Sequence, residues 1–124
     1  MKVFRRICIL LVVVALIVAM PLSAFAASAS QTVPYNGYSY SCYSQCGAST
    51  AYASIETTNS AAMVRVYSVV YNNSILMYDQ NSGYSQYTAD VYFSGLSGHT
   101  KLVSEHYVSD ADGIVRLLTQ TALR

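Results

Sequence analysis

The chain has 124 residues, with seven Lys and Arg against six Asp and Glu, 12 Tyr, no Trp and only 10% charged residues. Charges so few and so scattered exclude nucleic acid and anionic membrane surfaces as partners, because phosphate binding needs clustered Lys and Arg. A chain of this length holds one domain with one modest core and leaves no room for a separate catalytic domain.

Lys2, Arg5 and Arg6 precede an unbroken apolar run from Ile7 to Met20, Pro21 breaks the helix, and Ala24-Phe25-Ala26 puts small residues where a signal peptidase reads them. The run is 14 residues long, short of the roughly 20 that a helix needs to cross a hydrocarbon core. The expectation is an N-terminal signal helix over 1–26, secretion with cleavage after Ala26, and no membrane contact thereafter. Cys8 lies inside the apolar run and leaves with it. The chain from Ala27 to Arg124 keeps Arg65, Lys101, Arg116 and Arg124 against Glu56, Asp79, Asp90, Glu105, Asp110 and Asp112, a net charge of −2. All the tyrosines lie in this part.

Ala27 to Thr32 is small and polar and is expected to be a flexible leader. Val33 to Thr50, crowded with Tyr, Ser and Gly, reads as a loop or an irregular edge strand. Residues 27–49 are therefore expected to be a Tyr/Ser-rich N-terminal segment carrying a Cys pair, ahead of an antiparallel β domain over 50–124. Thr50 to Thr57 alternates Ala51, Ala53 and Ile55 against Tyr52, Ser54 and Glu56. Ala62 to Tyr71, β-branched or aromatic at nearly every second position and apolar on both faces, reads as the central strand. Asn72-Asn73 then suits a tight hairpin into Ser74 to Asp79, since Asn tolerates positive φ.

Tyr84 to Ser94 shows the cleanest alternation, with Ser85, Tyr87, Ala89, Val91 and Phe93 inward. Thr100 to Val108 places Leu102, Ser104, His106 and Val108 on one face. Ile114 to Arg124 fits either a strand or a helix capped by Asp112, and the recurring turn signals favour the strand. The whole is all-β, a small antiparallel β-sandwich or flattened barrel of about six strands.

After export Cys42 and Cys46 remain, an even number in an oxidising compartment, so a bond between them is the expectation. Four residues of extended strand span roughly 13 Å while a disulfide needs Cα atoms about 4.4 to 6.8 Å apart, so Tyr43-Ser44-Gln45 would have to turn. His106 reads as a hydrogen-bonded, half-buried structural residue and His99 as solvated in a turn. With no Gly-x-Ser-x-Gly pattern and the acids spread over separate elements, no catalytic residue is assigned. Asp110-Ala111-Asp112-Gly113 has the opening of a calcium loop but no later Glu to complete it. No metal or cofactor is assigned.

Tyr35, Tyr38, Tyr40 and Tyr43 form the candidate binding surface, because Tyr offers large apolar area and a hydroxyl at low entropy cost. The layout of a signal peptide before a short Tyr/Ser/Asn-rich β body resembles that of small secreted bacteriocins of the lactococcin type. That likeness of layout implies a secreted antimicrobial protein. The reading drawn from the residues themselves is a secreted, non-catalytic protein that contacts an extracellular or cell-envelope partner through its Tyr/Ser-rich surface, with a small secreted enzyme as a third. Low charge and high β-propensity leave self-association open.

Overall fold

A computed structural model describes residues Ser28–Arg124, and the expected signal peptide lies outside the described residues. Nine strands follow one another: β1 Ser28–Tyr35, β2 Tyr38–Cys46, β3 Ala51–Thr57, β4 Met63–Asn72, β5 Ile75–Asn81, β6 Ser85–Gln86, β7 Thr88–Phe93, β8 Lys101–Asp110 and β9 Gly113–Leu123. They form two antiparallel sheets, β1-β2-β3-β7 and β5-β4-β8-β9, with β6 also paired to β4. The fold is all-β, with nine strands where about six were expected. The additional ones are β1, β2 and the two-residue β6.

The expected leader and irregular segment are instead a regular hairpin, in register from Ser28 opposite Gln45 to Tyr35 opposite Tyr38. The turn is Asn36-Gly37, with φ of 49° and 80°. Positive φ at both central residues gives a turn whose twist matches that of the strands it joins, and Asn-Gly is the residue pair that most readily adopts it. β2 then pairs along its whole length with β3, from Tyr40 opposite Thr57 to Cys46 opposite Ala51. The 27–49 segment is thus half of the first sheet.

β4 sits where the alternation of Ala62 to Tyr71 predicts, between β5 and β8. Its hairpin to β5 forms one residue later than expected: Asn72 pairs with Ile75, and Asn73, at φ 54°, is the first turn residue. The run from Tyr84 to Ser94 is broken at Tyr87, whose φ of 67° ends pairing with β4 and starts pairing with β3. Tyr87, expected inward, is therefore exposed, while Ala89, Val91 and Phe93 are buried as predicted. The C-terminal segment is the strand β9, paired to β8 from Lys101 opposite Leu123 to Asp110 opposite Gly113.

The core lies between the two sheets. Small side chains of the first sheet, Cys42, Cys46, Ala51 and Ala53, meet Val64, Val66, Val70, Leu102 and Val108 of the second. Alternating small and large residues let the two layers interdigitate. A polar band crosses this core. Ser68, Ser104 and Gln120 stand opposite one another on β4, β8 and β9. Ser68 Oγ donates to Ser104 Oγ at 2.9 Å, Ser44 Oγ to Gln120 Oε1 at 2.9 Å, and Gln120 Nε2 to the Cys42 carbonyl at 3.1 Å. These bonds satisfy groups whose burial would otherwise cost stability, and they tie the first sheet to the second.

Candidate binding face

The alternation of β2 divides the four tyrosines proposed as one surface. Even-numbered residues from Tyr40 to Cys46 point into the core and odd-numbered ones point out. Tyr40 is fully buried, and its hydroxyl accepts a 3.0 Å hydrogen bond from Asn59 Nδ2. Tyr35 packs edge-on against it, with ring centroids 6.4 Å apart. Tyr40 belongs to the interior and Tyr35, half-buried, packs against it at the margin of the core. Tyr38 is exposed beside the hairpin turn. Only Tyr43 stands on the broad outer face of the first sheet.

There Tyr43 meets Tyr52, which in turn stands beside Tyr92 from a distant part of the chain. Its ring lies 6.1 Å from that of Tyr52, and Tyr52 is directly opposite Tyr92. Tyr43 is diagonal to Tyr52 and Tyr92 is side by side with it, so the three span β2, β3 and β7. Around them the outward positions are Ser41, Gln45, Ser54, Glu56, Thr88 and Asp90, as the register sets them. Tyr43 donates to Gln45 Oε1 at 3.1 Å, which leaves the Gln45 amide nitrogen facing outward as a donor. A groove of about 250 Å³ lined by Ser39, Ser41, Glu56, Thr57 and Thr58 opens at one end of this strip. A second of about 250 Å³, between Tyr92 and Tyr78, opens at the other.

The second sheet also carries outward tyrosines, but its own charged groups occupy them. Arg65 lies over Tyr84 and Tyr107, 5.2 and 4.2 Å from their centroids, and Lys101 lies 5.2 Å from that of Tyr71. Tyr67 donates to Asp79 at 3.0 Å and Tyr107 donates to Glu105, and each bond raises the pKa of the donating hydroxyl. Glu105 also receives Arg116 at 3.5 Å. Every Lys and Arg of the described residues lies outside β1, β2, β3 and β7. The two outer faces therefore differ in kind, one with its tyrosines paired to charged side chains and one without cations.

Sequence alternation assigns Tyr52 and Tyr92 to outward positions, but nothing local shows that β3 and β7 are neighbours. That pairing depends on the chain crossing to the second sheet and back.

The expected Cys42–Cys46 disulfide is absent, and both thiols are free. No turn brings them together, since they lie four positions apart on the extended β2 and share its buried face. Burial raises both thiol pKa values, Cys42 to about 12. At pH 8 a thiol of that pKa is ionised in about one molecule in 10⁴, so these residues act as small apolar side chains. In a chain lacking residues 1–26, iodoacetamide is expected to modify neither thiol under native conditions and both in denaturant. A mass unchanged after denaturing alkylation would show that a disulfide forms after all.

The histidines are not paired with a nucleophile. His99, expected to be solvated, is buried, with Nε2 2.7 Å from the Gly47 carbonyl. It holds the loop before β8 against the loop after β2. His106 is wholly buried with neither ring nitrogen in a hydrogen bond. The Asp110 and Asp112 carboxylates both accept from Asn36 Nδ2, at 3.0 and 2.8 Å, so they join the β8–β9 turn to the β1–β2 turn. Among the described residues no three of His, Cys, Asp and Glu gather at one point. No family model, curated protein or solved structure matches this chain.

Proposed function

We propose that the protein is a secreted, non-catalytic binding protein that meets an extracellular or cell-envelope partner through the outer face of the first sheet. One observation carries the reading. Tyr43, Tyr52 and Tyr92 are aligned on a face free of Lys and Arg, whereas the tyrosines of the other face are engaged by Arg65, Lys101, Asp79 and Glu105. Aromatic area bordered by hydroxyls and amides is the composition of recognition surfaces. The signal-like residues 1–26 support delivery outside the cell.

Purified protein is expected to sediment with isolated cell walls, and the variant Tyr43→Ser/Tyr52→Ser/Tyr92→Ser is expected to bind at least tenfold more weakly while melting like the unmodified protein. Tyr38→Ser, at the hairpin end, is expected to bind normally. Wall binding that is indifferent to the triple change, or abolished by Tyr38→Ser alone, would reject this face.

A further inference from the structure

The ligand class follows from the chemistry of the same face, and the inference rests on the binding reading above. We propose that the face takes a neutral polysaccharide chain, laid diagonally from the Ser41–Glu56 groove over Tyr43, Tyr52 and Tyr92 to the groove beside Tyr78.

Charge selects first. β1, β2, β3 and β7 contain no Lys or Arg, and their only ionisable carboxylates are Glu56 and Asp90, opposite Thr88 and Ser54 respectively. A phosphate- or carboxylate-bearing polymer would find no cation here and two like charges. A neutral polyol finds acceptors in Glu56 and Asp90, a donor in the Gln45 amide, and exposed hydroxyls at Ser41 and Thr88. Hydrogen bonds to charged acceptors are the stronger kind, so two carboxylates among neutral groups suit a ligand made of hydroxyl donors.

The aromatic groups select next. A pyranose ring presents C–H groups on its faces, and these rest on the electron-rich face of an aromatic ring. Tyr43 and Tyr52 are tilted 52° to one another at 6.1 Å, so they offer two differently inclined platforms, as a chain that twists between successive sugars would need. Tyr92, 55% exposed, continues the strip.

Shape then favours a polymer over a single sugar. From the row of Ser41 to that of Tyr92 the path crosses two strand spacings and four residues of rise, roughly 16 Å in all. Both end grooves lie on this line. The one beyond Tyr92 adds Tyr78, Asp79 and Gln80 from β5, with its wall fixed by a 2.9 Å bond from Gln80 Nε2 to the Tyr92 carbonyl. A shallow track of this length gains affinity from several weak contacts in series.

Isolated cell walls treated with periodate, with protease, or untreated provide the test, beside gel retardation on neutral xylan, galactomannan and hydroxyethyl cellulose and on anionic polygalacturonate. Periodate is expected to remove wall binding at least tenfold by cleaving vicinal diols, while protease and 0.5 M NaCl leave it intact. At least one neutral gel should retard the protein, and the triple Tyr→Ser variant should run free in it. Binding lost to protease but not periodate would overturn the polysaccharide while keeping the binding reading. Retardation by polygalacturonate alone, or by no neutral gel, would each overturn it. Absence of any wall binding would overturn both.

Discussion

Val70→Asp is expected to lower the unfolding free energy of the domain at 25 °C by about 3 to 5 kcal/mol. Val70 is wholly buried on β4, the strand that joins β5 to β8, and it stands opposite Leu102, which is equally buried. An aspartate there stands between Leu102 and Tyr78, with no cation opposite it. Leaving a charge buried and unpaired costs about 3 to 5 kcal/mol, and a small domain has about 5 to 15 kcal/mol in total. Val66→Asp, four residues away on the same strand and equally buried, is expected to lose less, because His106 lies directly opposite it and can accept a proton to become its partner. Urea unfolding of the two variants side by side decides the matter. A Val70→Asp protein that unfolds like the unmodified one would show that β4 is not central to the core, and equal losses would remove the special role given to His106.

Acid is expected to weaken the fold by about 3 kcal/mol between pH 7 and pH 4 through His106 alone. Burial lowers the His106 pKa from its ordinary 6.5 to about 4, opposed in lesser part by the Gln120 side chain. In the unfolded chain the imidazole takes up a proton below about pH 6.5, whereas in the folded protein it stays neutral until about pH 4. Between those values the unfolded state holds more protons, so stability falls as pH falls. The cause is visible in the core: both ring nitrogens lack hydrogen-bond partners, and a charged ring would sit between Val66 and Leu118. His106→Leu is expected to remove this part of the acid slope. Carboxylates titrate in both proteins, so the quantity to measure is the difference between their unfolding free energies as pH is lowered. Parallel curves would show that His106 is charged or exposed in the folded state.

Much of the β architecture was legible one strand at a time. The period-two pattern of Leu102, Ser104, His106 and Val108 predicted a buried face that β8 presents, and the apolar character of both faces of Ala62 to Tyr71 placed β4 inside a sheet. In each case the hydrophobic pattern alone selects which side chains leave water. The N-terminal part is a strand pair that its composition hides, because its Tyr, Ser and Gly content resembles that of a loop. Asn36-Gly37 carried the correct local signal, a two-residue turn with positive φ at both positions, and β1 and β2 follow from it. The disulfide expectation failed for the same reason: once β2 is extended, the Cys42 and Cys46 side chains share a face but are too far apart to join.

The binding face was only partly legible. Counting tyrosines along Tyr35 to Tyr43 grouped residues by sequence, while a strand sorts them by parity, sending Tyr40 to the core and Tyr43 to the surface. The tyrosines that stand with Tyr43 come from β3 and β7, which are brought together only after the chain has built most of the second sheet.

The sequence by itself determined the all-β character, the central strand and the inward set of most strands, because each depends on alternation and turn residues within about ten positions. The tertiary structure decided which tyrosines share a face, which are held by Arg65 and Lys101, and that His106 is buried without a partner. Those outcomes depend on pairing between strands distant in the chain, and alternation within a strand carries no information about its neighbours.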